Sequence, residues 1–214
     1  MLSQENATRD KFNALKKYYD ETWDEDSHTL HVGLFQTGHD SLTVAYANAT
    51  KHLIDRINAV VPIDDKSILL DVGCGTGRTL IEICEAFSCS GVGIDLSDAQ
   101  ILDAQTCLAD LNRARTTKGL SEIRARFVQG SASELEEILK KDERFTHVIS
   151  QDAIMLVANK QSLFENVYRF LAPGGVLAVT DFLSEVPATN VPESDQRLVY
   201  SLVNWTGELS EDAY

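Results

Sequence analysis

The sequence predicts an α/β fold, a parallel sheet with helices between its strands, and three observations carry that reading. The run Ser67 to Val72 is short and aliphatic, carries an acid at Asp71, and opens into Gly73-Cys74-Gly75-Thr76-Gly77. That is a buried strand entering a glycine turn. The next ten residues, Arg78 to Phe87, put Leu80, Ile83, Cys84 and Phe87 on one helical face. Further short apolar runs then alternate with helical stripes, the pattern of βαβ units.

The elements follow in order. Phe12, Leu15 and Tyr19 form a short helical stripe, and Leu42, Tyr46, Ala49, Leu53 and Ile57 a longer one. Between them lie the aromatic stretch Tyr18 to Trp23 and the run Leu30 to Phe35, too irregular for one helix. Val61-Pro62 closes this segment. After the glycine turn and its helix, Ser90 to Asp95 reads as a second strand ending in an acid. Ser97 and Gln100 suggest a capping box for a helix with Ile101, Ala104, Leu108 and Leu111 inward. Ala125 to Ser131 is the third strand and His147 to Ile154 the fourth. Leu163, Phe164, Val167 and Phe170 make a helix closed by Pro173-Gly174-Gly175, and Val176 to Phe182 is the fifth strand. We expect three parts: a helical cap at 1–61, the α/β core at 62–182, and a lid-like segment at 183–214. That last part shows a polar loop, a stripe at Leu198 and Leu202, and a helix start at Ser210.

Composition narrows the function. The 214 residues fit one domain with modest additions, and a net charge of −14 repels phosphate backbones, so nucleic acid is not the expected partner. No apolar run reaches the ~20 residues of a membrane span, and the amino terminus lacks a secretory h-region. Cys74, Cys84, Cys89 and Cys107 form no C-x-x-C and have no flanking histidines. No metal site is expected, and free thiols fit a reduced, cytoplasmic setting. The three Asn-X-Thr sequons then read as chance matches.

A strand, glycine turn and helix let a ligand lie against bare backbone near a positive helix end. Dinucleotide folds use G-x-G-x-x-G, but here Arg78 stands where the third glycine belongs. That argues against a dehydrogenase. The D-x-G-x-G-x-G form led by Asp71 resembles motif I of the class I S-adenosylmethionine (SAM)-dependent methyltransferases, and the ordered likeness runs from about residue 67 to 182. The resemblance implies a Rossmann-like sheet, SAM as cofactor and a small-molecule methyl acceptor as partner. It implies a cofactor site at Asp71, Gly73, Gly75 and Gly77, with Asp95 and Leu96 at the ribose. Ser131 and Ala132 would stand at the adenine, where the family usually has Gly-Asp-Ala, and Gln151 at the end of the fourth strand. Such enzymes have seven strands. The residues after Phe182 offer none for strands six and seven, so we expect a shortened chain or a homo-oligomer covering the edge of strand five.

Within the family, Tyr18-Tyr19-Asp20, His31 to Phe35 and Ser150-Gln151-Asp152-Ala153-Ile154 resemble two N-methyltransferase groups. These are the glycine, sarcosine and dimethylglycine enzymes and the phosphoethanolamine enzymes. The likeness points to an amine acceptor. A histidine that often follows the motif is replaced by Leu156, which suits an acceptor with no proton to lose, such as a tertiary amine. His31, Tyr19 and Asp152 are the candidate catalytic residues: His31 as base or hydrogen-bonded pocket residue, Tyr19 as ammonium cage or packing aromatic, Asp152 near the acceptor or as a turn cap. His28, His39, His52 and His147 are expected to be incidental. Two alternatives stay open: C- or O-methylation of a quinone, sterol or polyketide-like acceptor, and a non-catalytic assembly partner with the same fold.

Overall fold

A computed structural model of the chain describes residues 2–22, 31–157 and 159–182. Its five strands are β1 (Ile68–Val72), β2 (Ser90–Asp95), β3 (Arg124–Gln129), β4 (Phe145–Gln151) and β5 (Leu171–Thr180). They pair in parallel in the order β3-β2-β1-β4-β5. Around them lie α1 (Leu2–Thr22), α2 (Leu42–Asn58), α3 (Arg78–Phe87), α4 (Asp98–Thr117), α5 (Leu135–Ile138) and α6 (Lys160–Phe170). β1 reads as an almost unbroken apolar run because it is central, with Leu70 beside Val92 on one neighbour and Val148 on the other.

Helices cover both faces. Leu69 packs with Leu80 and Ile83 of α3, Ala104 of α4 and Leu53 and Ile57 of α2. Leu70 and Val72 pack on the other face with Leu163, Val167 and Phe170 of α6. The second prefix helix is thus part of the sheet's core. It is capped by Ser41, whose hydroxyl accepts the Val44 N–H at 3.3 Å.

Several expectations need correction. The first helix extends well beyond the stripe Phe12–Tyr19, starting at Leu2. Leu42 falls outside the buried stripe of α2 and is exposed. α6 does end at Phe170, but Pro173-Gly174-Gly175 is no break before β5. Pairing resumes at Phe145 with Leu171 and slips by His147 with Val176, so these residues form a bulge. A proline without an N–H and Gly174 at φ +79° fit such a bulge at a sheet edge. His147 is not incidental. It is buried, its Nε2 lies 3.0 Å from the Val61 carbonyl, and it ties the turn at Pro62 to β4. Tyr18 and Tyr19 lie in the last turns of α1, but their side chains are outside the described residues, as are Trp23, His28 and the whole of 183–214. The expectations about strands six and seven and the edge of β5 fall there.

Candidate active site

The strand order reverses between β1 and β4, and ligands in open α/β sheets bind beyond the carboxyl ends of strands at such a point. A cleft of about 1120 Å³, its open mouth included, lies there. The ends of β1 to β4 form its floor, and Glu5, Thr8 and Phe12 of α1 reach over it. Of the candidate site residues whose side chains are described, all line this cleft except Gly77.

The glycine turn explains the exception. Gly73 sits at φ +74°, and a Cβ there would stand 2.4 Å from that of Ala153 across the cleft floor. Its N–H and that of Cys74 donate to the Ile94 carbonyl at 2.8 and 3.0 Å, locking the turn to β2. Gly77, also at φ +74°, has already turned away to cap α3. A Cβ there would meet the Phe127 ring at 2.4 Å. Its glycine is required by packing behind the turn, not by approach to a ligand.

Two carboxylates dominate the floor. Asp71 is 3 % exposed, and its carboxyl has no hydrogen-bond partner among the described residues. Burial, with the Asp95 charge beside it, pushes its pKa up to about 7. Asp95 accepts the Gly75 N–H on Oδ2 and the Ser97 N–H on Oδ1, both at 2.9 Å, so it clamps the glycine turn to the start of α4. Burial raises its pKa as well. The pKa of the Cys74 thiol, half-buried beside both acids, is pushed well up by desolvation and their charges, and the thiol stays protonated.

That clamp undoes half of the expected capping box. The Ser97 hydroxyl accepts the Gln100 N–H at 3.1 Å, but the Ser97 N–H is already committed to Asp95. The Gln100 side chain is therefore released into the cleft wall, where Oε1 is buried without a partner among the described residues. The sequence reading missed this residue, although its place five positions after the ribose-side acid was a usable signal.

α1 is docked by polar contacts no periodicity could show. The Ser97 hydroxyl donates to Asn13 Oδ1 at 2.6 Å, the Asn13 amide donates to Asp98 at 2.6 Å, and the Ser131 hydroxyl donates to Glu5 at 2.9 Å. Ser131 Oγ also accepts the Ser133 N–H, so most of its capacity is spent within the protein.

On the far wall, Gln151 Oε1 accepts the Thr79 hydroxyl at 2.8 Å. Asp152 leaves the strand at φ +52°, and its Oδ2 accepts the Val32 N–H at 2.7 Å. Burial is the main cause that raises its pKa. It pins residues 31–32 to the end of β4, where it also lines the cleft. His31 is buried against the edge of the Tyr46 ring, with Nε2 3.2 Å from Thr50 Oγ1 and Nδ1 3.1 Å from the Val32 carbonyl. The Nδ1–H tautomer, assigned from these contacts, satisfies both and leaves no ring nitrogen free. This favours the hydrogen-bonded pocket residue over the base.

The chain matches a family model described as a methyltransferase domain over residues 63–209, and it belongs to that family. Sterol 24-C-methyltransferase of Debaryomyces hansenii is 25% identical over 197 residues, 92% of this chain and 47% of that protein. Glycine/sarcosine/dimethylglycine N-methyltransferase of Actinopolyspora halophila is 25% identical over 178 residues, 82% of this chain and 28% of that one. A putative sarcosine dimethylglycine methyltransferase from Galdieria sulphuraria has a similar structure, with TM-score 0.74, 20% identity, and coverage of 96% and 70%. The fold is that of class I SAM-dependent methyltransferases. The chain spans about half the length of the curated relatives it matches.

Proposed function

We propose that the protein transfers a methyl group from SAM to a small-molecule acceptor, and that the acceptor atom is an amine nitrogen. The observation that carries the cofactor is the floor of the cleft. Gly73 has no room for a side chain, Gln100 Oε1 is buried there without a partner among the described residues, and the buried Asp71 has no hydrogen bond from them. An amino acid joined to a nucleoside fits that donor set: its ammonium suits Asp71, and its ribose hydroxyls suit Asp95 and Gln100. Leu96 and Ala132 would flank the adenine, with Ser131 at its edge. Bound SAM supplies a methyl on a positively charged sulfur.

The protein's own part is alignment and exclusion of water. α1, held by Asn13 and Glu5, roofs the cleft; Asp152, through the Val32 N–H, holds the opposite wall in place. With both nitrogens of His31 engaged, the described part of the wall offers no imidazole base, which suits a tertiary amine attacking through its own lone pair. Relatives that methylate carbon keep a second reading in play, a C- or O-acceptor. A labelled-methyl assay against tertiary amines, phenols and quinones decides between them. Turnover of a tertiary amine, rising with pH as free base forms, is expected; turnover of phenols or quinones alone refutes the amine reading. Binding of SAM, with none of NAD, tests the cofactor separately.

A further inference from the structure

The order of the strands limits where a nucleobase can lie in the cleft. β1 is followed outward by β2 and then β3, neighbours about 4.8 Å apart. The glycine turn leaves β1, Asp95 ends β2, and Gly130-Ser131-Ala132 follows β3, and residues of each line the cleft. A ligand with its amino acid at Asp71 and its ribose at Asp95 would carry its base over the end of β3, one strand further out.

At that end the Ser131 hydroxyl is already occupied. Its proton goes to Glu5 Oε1 at 2.9 Å, and its oxygen accepts the Ser133 N–H at 3.0 Å. Adenine presents an exocyclic amine there, and an amine needs an acceptor. Glu5, Thr8 and Phe12, spaced i, i+3 and i+7, turn one face of α1 over the cleft. Glu5 is half-buried, and it is the one acid among the described lining residues on the β3 side. Asp71 stands on β1, Asp95 ends β2, and Asp152 lies past β4. Glu5 Oε2 has no hydrogen bond among the described residues. A carboxylate accepts at about four lone-pair sites, so the bond from Ser131 orients Glu5 without exhausting it.

We infer that Glu5 selects the base: its free carboxylate oxygen accepts a hydrogen bond from the exocyclic amine of adenine. Ser131 is the positioning residue that holds this carboxylate at the edge of the base. The assignment rests on the SAM site proposed above and adds to it the side chain that distinguishes adenine from a base without that amine. Base recognition then belongs to α1, outside the strands and turn that hold the rest of the cofactor.

The test is calorimetry with S-adenosylhomocysteine and with its purine analogue, in which hydrogen replaces the 6-amine. The parent is expected to bind S-adenosylhomocysteine at least about tenfold more tightly than the analogue, the range of a hydrogen bond to a charged group. In Glu5→Ala the two affinities should come within about threefold of each other. A parent that binds both ligands equally overturns the inference. Weaker binding of both ligands by Glu5→Ala, with their ratio intact, is what a purely helix-docking role produces, and it overturns the inference too. Glu5→Gln keeps a neutral acceptor for Ser131, and its ratio should fall between those of the parent and Glu5→Ala. If Glu5→Ala does not fold, a parent-like ratio in Glu5→Gln is the overturning result. A parent that binds neither ligand refutes the cofactor proposal itself, and this assignment with it.

Discussion

Asp71 gives the sharpest prediction, because its folded state is unfavourable without a ligand. Its pKa stands at about 7, against ~3.9 in an unfolded chain. The folded protein therefore holds a proton that the unfolded chain has already lost. Below about pH 4 the group contributes no difference. Between about pH 4 and 7 stability falls as pH rises, and above 7 the full penalty applies. A shift of roughly three units corresponds to about 3–4 kcal/mol. Asp71→Asn removes the charge at nearly constant shape, so at pH 8 the ligand-free variant should be more stable than the parent by about 3 kcal/mol, with the gap closing toward pH 4. Urea unfolding at a series of pH values measures this directly. Binding a ligand cation should reverse the balance by holding Asp71 ionised. SAM binding at pH 6.5 should then release protons, seen as a binding enthalpy that depends on the buffer. Equal midpoints and slopes for parent and variant at pH 8 would refute the reasoning.

Asp95→Ala should weaken S-adenosylhomocysteine binding by about 1–3 kcal/mol, through lost charge-assisted bonds and a loosened Gly75–Ser97 clamp; calorimetry showing unchanged affinity would contradict the ribose assignment. Gly77→Ala should cost about 2–4 kcal/mol of stability, from a left-handed backbone and the clash with Phe127. Gly73→Ala, with the same left-handed backbone and a Cβ 2.4 Å from that of Ala153, should cost stability as well and in addition lower cofactor affinity; ligand titrations beside the urea curves show which variant carries the second effect. His31→Asn should lower stability by about 1–3 kcal/mol, since Thr50 loses a partner, yet leave the shape of the pH–rate profile intact. A profile that loses its acidic limb, where a base becomes protonated, would restore the imidazole as a base.

What the sequence made legible was whatever a short window encodes. β1 to β4 follow continuous apolar runs with turn signals, and each appears within a few residues of its expected place. The glycine turn and Asp95 are chemical punctuation with few alternative uses, so most of the cleft floor was readable. Gln100 was misread because a local capping pattern looked complete. A contact from Asp95 took the Ser97 N–H, and nothing in residues 97–100 records that competition. Gly77 was misread in the opposite direction. Its spacing belongs to the turn, but its reason is Phe127, fifty positions further along the chain. The β5 bulge escaped because Pro-Gly-Gly signals a stop equally well in a loop or at a sheet edge.

The two acids on the floor also explain why the site's own side chains are so fully committed elsewhere. Asp95, Ser97, Ser131, Gln151 and His31 each spend hydrogen bonds on the protein, which fixes their positions before a ligand arrives. Asp71 and the Gln100 carbonyl line the same cleft, and neither has a hydrogen-bond partner among the described residues. Natural cores seldom tolerate such groups, because each costs stability unless something pairs with it. Their occurrence side by side with a rigid surround is what a binding site looks like when stability has been given up for affinity. The pairing partner must offer a cation to one and a donor to the other. The chain's sheet and glycine turn deliver both groups to the same crevice, so the cofactor reading follows from charge and burial as well as from family likeness.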